Sequence, residues 1–508
     1  MFPDPRSSFA TFLQSLSHAA LAGLVLAAGL RAAPLAAPRS PTALGLPFDK
    51  IAQDFLARHG LKDTPREKIE LDAVLASHFV HGRLGQFEVY FPVTGLERRA
   101  EDLKAASIAL LDAQEQWLGW IKPLGQDQKA LRKDLDTFAA WVGKWNPGVL
   151  ARAHDVAGQD LLALMSIPDS VAAASQRLAD SMGRCAPLGT PREEVLVAKI
   201  ILIPDRRSFV EIACFIGWLD VGLQKVYWVE NVADWTQCFY NEYQLVALEY
   251  ASAGRPAGDY EHGTSMNERD ALVMEQQVVQ LAMNSLFDQQ YGERVPKAFI
   301  GGLSMNLVID QFENISTKID GDLRERSTQA REIFVPGGAS EGGFLPPQSA
   351  ETRWREDRGR DHFVRMLRLT QKEGDGLDKK VKNRLACFAI RADNGGTKMP
   401  MIAPFLGSVA VESKPPPDEF RGEFMEFLRA YKCGFIYWLQ NKAGGSEKAS
   451  QELFAKLLQQ LADAKRAGDF EAVFKDVYDG APLSDLEAGK SSLEGKFLIW
   501  LAKQKDSN

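Results

Sequence analysis

The amino-acid sequence predicts a predominantly α-helical α+β protein with a small sheet and a helical subdomain. Three observations predict it. Long stretches carry apolar residues at steps of three and four, few segments alternate, and one nearly continuous apolar run, Val195 to Pro204, is rich in β-branched residues. At 508 residues with 45% hydrophobic content, the chain can bury the cores of two to four domain-sized units. Its 60 basic and 67 acidic residues give a net charge of −7 without long runs of one sign. That balance excludes the basic footprint of a nucleic-acid binder, so no nucleic acid is expected among the partners.

The first element is an apolar stretch, Ala19 to Leu30, followed by a Pro/Ala-rich segment. Its length suits a signal-peptide core and is too short to span a bilayer. Residues 1–37 are therefore expected to be a signal peptide and linker, directing the chain to the periplasm or the extracellular space. No other stretch is long and apolar enough to be transmembrane. Phe48 to His59 reads as a short helix, and Phe87 to Val93 alternates as a strand does. From Leu96 to Met182 the pattern is helical, with breaks at Pro147 and near Pro168. This defines a first unit, 44–184.

A Pro/Gly-rich segment from Cys185 to Pro191 separates it from a second unit, 190–320. There the Val195 to Pro204 run reads as a buried strand, and Asp205 as the N-cap of a following helix. Lys225 to Val229 reads as an edge strand, and a helix is predicted from near Asp234 to Tyr250. Further helices are predicted over Glu268 to Gln290 and from Ala298 to Ile315. Residues 321–418 hold Gly/Pro-rich loops around a short helix, Asp361 to Leu369. In 419–508, Phe424, Phe427, Leu428, Tyr431, Phe435, Trp438 and Leu439 mark an amphipathic helix. Helices from Glu447 to Ala467 and Leu486 to Gln504 follow.

The segment Tyr240 to Tyr250, YNEYQLVALEY, carries the main chemical signal. In an H-E-x-x-H helix, two histidines one turn apart hold a zinc ion while the glutamate polarises the metal-bound water. Here Asn241 and Leu245 stand at the histidine positions and Glu242 at the base. On a helical wheel Trp235, Phe239, Glu242, Val246 and Glu249 share one face. Glu242 would then point to the apolar side, where desolvation raises a carboxyl pKa. A base without a metal-bound water has no obvious nucleophile to activate.

The order of pieces from about residue 85 onward resembles the gluzincin superfamily of zinc peptidases, particularly the peptidase-MA-like and DUF1570-type bacterial proteins. Ile200 to Phe209 resembles the edge of that family's small sheet, and the helix from Asp234 its active-site helix. Val295-Pro296-Lys297-Ala298-Phe299-Ile300-Gly301-Gly302-Leu303-Ser304 is similar to the segment whose glutamate is the third zinc ligand, with Gly301 at that position. Tyr431 to Leu439 resembles the family's aromatic helix, and Phe470 through Leu498 its closing pattern. The resemblance implies a zincin-like domain whose ligand positions, Asn241, Leu245 and Gly301, cannot bind metal. It also implies that Glu249 lies near the position where some members keep an acidic residue to orient a ligand histidine.

Other candidates carry less. His78 and His81 have i, i+3 spacing, but two ligands do not complete a zinc site. His262, in the loop after the motif, is within sequence reach of the cleft. Asp310 and Glu313 share a helix face, and the five cysteines, Cys185, Cys214, Cys238, Cys387 and Cys433, form no C-x-x-C. The expected function is thus an exported, non-catalytic binding or structural module with a zinc-peptidase-like fold. It would take a protein or peptide ligand in the cleft and no metal or other cofactor. Two alternatives stay open: a hydrolase rebuilt around Glu242 with His262 or Asn241, and a helical scaffold unrelated to peptidases.

Overall fold

The computed structural model describes residues 48–93, 96–121, 128–152, 155–185, 196–203, 206–219, 237–240, 245–249, 268–292, 295–312, 393–394, 397–398, 433–463, 469–483 and 491–503. The described residues are mainly helical, with a small mixed sheet. In chain order they form α1 (Phe48–Arg58), α2 (Leu71–His78), β1 (Phe79–Leu84), β2 (Phe87–Pro92), α3 (Leu96–Trp120), α4 (Gln128–Gly143) and α5 (Asp169–Cys185). Then come β3 (Ala198–Ile203), α6 (Arg206–Leu219), β4 (Gln237–Tyr240), β5 (Leu245–Glu249), α7 (Glu268–Tyr291) and α8 (Lys297–Phe312). A two-residue hairpin pair, β6 (Asp393–Asn394) and β7 (Thr397–Lys398), precedes the C-terminal helices α9 (433–441), α10 (Glu447–Ala462), α11 (Phe470–Val477) and α12 (Leu493–Ala502).

The main sheet runs in the order β1-β2-β3-β5-β4. Its two outer pairs are antiparallel and its two inner pairs parallel. Parallel neighbours need crossovers, and helices supply them: α3, α4 and α5 lie between β2 and β3, and α6 between β3 and β5. Helices on both faces bury the central strands on both sides, hence the continuous apolar run of β3. Ala198, Ile200 and Leu202 point into one core with α3, α7, α8 and the C-terminal helices. Ile201 and Ile203 point into a second core with α1, α2 and α6. The strands predicted for the first and second units thus belong to one sheet, since Phe87 to Tyr90 of β2 pair with Ala198 to Ile201 of β3.

Two glutamines fasten helices to the sheet by satisfying backbone groups that the strand ladder leaves over. Gln114 of α3 is fully buried; its Oε1 accepts from the Gln86 amide at 3.0 Å and its Nε2 donates to the Leu84 carbonyl at 3.0 Å. The intervening Gly85 has φ +62°, and a Cβ there would lie 2.0 Å from Gln114 Oε1, so the turn requires glycine. Gln289 of α7 does the same for Val197, accepting from its N–H at 3.2 Å and donating to its carbonyl at 2.7 Å.

The largest departure from the sequence expectation concerns the segment predicted as a helix from Asp234 to Tyr250. Its described residues are strands: Gln237 to Tyr240 pair antiparallel with Leu245 to Leu248. Leu245 to Leu248 is an unbroken buried run. Periodicity does not separate so short a run from a buried helical segment, and the parallel partner β3 selects the strand. The strand β1 and the helix α2 before it were not anticipated. The predicted elements at 225–229 and 361–369, the N-cap Asp205 and the whole of 1–47 lie outside the described residues. Among the described residues, no helix is long and apolar enough to cross a membrane.

Candidate functional site

The sequence-predicted site residues do not assemble. Leu245 and Glu249 would stack one turn apart on a helix; in β5 they stand at opposite ends of a strand, about 13 Å apart at the usual rise. The Leu245 side chain is completely buried in the core shared with α6. Gly301 lies in α8, whose Phe299, Ile300 and Leu303 belong to the core on the other face of the sheet. The sheet therefore separates two of the three positions matched to zinc ligands. Asn241, Glu242 and His262 lie outside the described residues.

What surrounds Gly301 is instead α7, which packs along α8 as a helical hairpin with a short connection. Ser304 fixes the register of the two helices. Its Oγ lies 2.7 Å from Asn284 Oδ1 on α7 and 3.1 Å from the Gly301 carbonyl oxygen. Gln280 stands one turn before Asn284, and Gln277 a further turn back, so three carboxamides share one face of α7. Gln277 is buried, and its Oε1 has no hydrogen-bond partner among the described residues. Gly301 itself is half-buried, and a Cβ built there meets nothing within 4 Å among the described residues. The α7 face thus carries a neutral polar stripe that reaches Gly301 of α8 at Asn284, through Ser304. Carboxamides donate and accept at once, the complement of a peptide group.

The same helix carries an acid that sequence reasoning missed. Glu275 is pushed up to about 7, first by burial and then by the neighbouring carboxylates of Asp112 and Asp102 on α3. Asp112 is raised as well, by burial and by Glu115. The signal was present as an acid directly after the apolar residues Val273 and Met274. The stability consequence follows from the direction of the shift. The unfolded chain releases the Glu275 proton near 4.5 and the folded chain near 7, so this group's contribution falls as pH rises through that window. Glu275→Gln is expected to raise stability at pH 8 by about 1 kcal/mol, after discounting for partial solvent screening, and to change little at pH 4.5. Urea denaturation at the two pH values checks this; an equal effect at both would refute the assignment.

His78 and His81 do not share a helix face, because α2 ends at His78 and His81 lies in β1. Cys214 and Cys433 are buried. Among the described residues, no three His, Cys, Asp or Glu side chains converge as a metal site would require. Comparison with known proteins adds no relative: no family model, curated protein or solved structure matches the chain.

Proposed function

We propose that this chain is an exported, non-catalytic binding module of gluzincin-like descent, in which the α7–α8 hairpin holds the remnant of the metal site. The observation that carries the proposal is the contact of Ser304 with Asn284 and the Gly301 carbonyl. If Gly301 marks the third ligand position, the residue that Ser304 joins to it on α7 is Asn284, with Gln280 one turn earlier at i and Leu281 where the base would stand. Two amides, a leucine and a glycine bind no zinc and polarise no water. The segment read from the sequence as the active-site helix has a structural role instead, as the hairpin of β4 and β5.

The stripe of Gln277, Gln280 and Asn284 supports recognition of a polar, uncharged group such as a peptide backbone. Export rests on the apolar stretch Ala19 to Leu30. The decisive experiment rebuilds the site. The triple variant Gln280→His, Asn284→His, Gly301→Glu is expected to take up one equivalent of zinc beyond the parent protein and to melt at higher temperature when loaded. A folded triple variant with no additional zinc would overturn the assignment of the site to this hairpin. Circular dichroism establishes the folding of the variant independently.

A further inference from the structure

α1 is an 11-residue helix, too short to be stable by itself, so its place in the fold depends on what docks it. Its hold on α6 consists of the Phe55–Phe215 ring stack at 4.5 Å, the Arg58–Glu211 ion pair at 2.6 Å and the burial of Ile51 and Leu56 in the second core. Against this hold stands a cluster of basic groups. The imidazole of His59, at the end of α1, meets that of His78, at the end of α2, with centroids 4.7 Å apart and both rings half-buried. Among the described residues no carboxylate pairs with either imidazole. Around His59, its own helix supplies Arg58, α2 supplies His78, and β1 supplies the uncharged ring of Phe79. α6 contains a single acid, Glu211, and Arg58 takes it. In the segment that joins α1 to α2, Arg66 is engaged on the Leu219 carbonyl, at the end of α6. The charged groups that act on His59 are therefore both basic, His78 and Arg58.

We propose that the contact of His59 with His78 is an acid-sensitive latch, in which protonation of the facing rings beside the fixed charge of Arg58 drives α1 off α2 and α6. An imidazolium spreads its charge over the ring, so the separation of the rings sets the repulsion, and half-burial keeps water from screening it fully. The one acid within reach of Arg58 is already engaged, so the cluster holds no spare counter-charge among the described residues. The titration of the docked ring has the matching direction. Burial, His78 and Arg58 hold His59 at about 4, below the ordinary 6.5. The undocked helix therefore takes the proton first, and docking is fully present above about 6.5 and lost progressively as pH falls toward 4. Glu275 has the opposite sign, so the two effects are separable. The latch lies on the α1–α2–α6 side of the sheet and the α7–α8 hairpin on the other, so the inference is independent of the function proposed above.

The test is amide exchange of the full-length protein at pH 7 and pH 5, corrected for the intrinsic dependence of exchange on pH. In the parent, protection of the Phe55, Leu56 and Ala57 amides is expected to fall about tenfold relative to the amides of Ile200 to Leu202 in β3. His59→Gln is expected to abolish this relative loss and His78→Gln to reduce it, while His81→Gln leaves it as in the parent. Thermal melts at pH 7 establish that each variant is folded. Equal protection of α1 at the two pH values, α1 and β3 amides falling together, or the full relative loss in a folded His59→Gln variant would overturn the proposal.

Discussion

Replacing Leu245 with histidine is expected to destabilise the protein by about 3 to 5 kcal/mol. Leu245 is completely buried in the second core, whose other members include the apolar residues Ile201 of β3 and Phe209, Ala213 and Ile216 of α6. The substitution removes most of the transfer free energy of a buried leucine and leaves an imidazole without hydrogen-bond partners. A loss of this size is a large share of the stability of an ordinary domain. Chemical denaturation of the parent and the variant measures it. Gly301→Glu, at another position matched to a zinc ligand, is expected to stay within about 1 kcal/mol of the parent, because no described atom lies within 4 Å of a Cβ there and glycine is a poor helix former. The contrast is the point: a helical active site at 240–250 would predict tolerance at both positions.

The second large effect is expected at Gln114, where truncation to alanine should cost about 2 to 4 kcal/mol. The cost is mostly that of groups left behind. Removing the side chain strands the buried Gln86 N–H and the Leu84 carbonyl, which have no room to recruit each other across the Gly85 turn. Gly85→Ala attacks the same contact from the other side, since the added carbon would overlap Gln114 Oε1 and force a left-handed residue other than glycine. Denaturation gives the magnitude, and amide exchange gives the location. The Gln86 amide should lose protection in Gln114→Ala, while amides in the centre of β3 keep theirs relative to global unfolding.

The helices were legible in the sequence wherever apolar residues kept a long period. The stretch predicted from Glu268 to Gln290 is observed as Glu268–Tyr291, and that from Ala298 as Lys297–Phe312. The doubly buried strand β3 was equally legible, because prolines and β-branched residues isolate it. β5 was not. Its five residues carry no period of their own, and pairing with β4 on one side and with Lys199 to Ile203, remote in sequence, on the other makes them a strand. The surroundings of Gly301 were illegible for a related reason. A glycine, a serine and an asparagine signal nothing singly, and the contact that joins them exists only once α7 and α8 pack together.

The parallel pairing of β2 with β3 has a consequence for how the chain reaches this structure. Phe87 and Ala198 become neighbours only after everything between them, including α3, α4 and α5, has been drawn into a closed loop. Closing so long a loop costs chain entropy before the ladder returns any of it, and such contacts slow the search for the native state. The hairpin β1–β2 and the helices of the loop have local partners and are able to form early. The union of β2 and β3 is then the late step, and until it occurs the apolar edge of β3 is the part of this molecule most open to wrong partners.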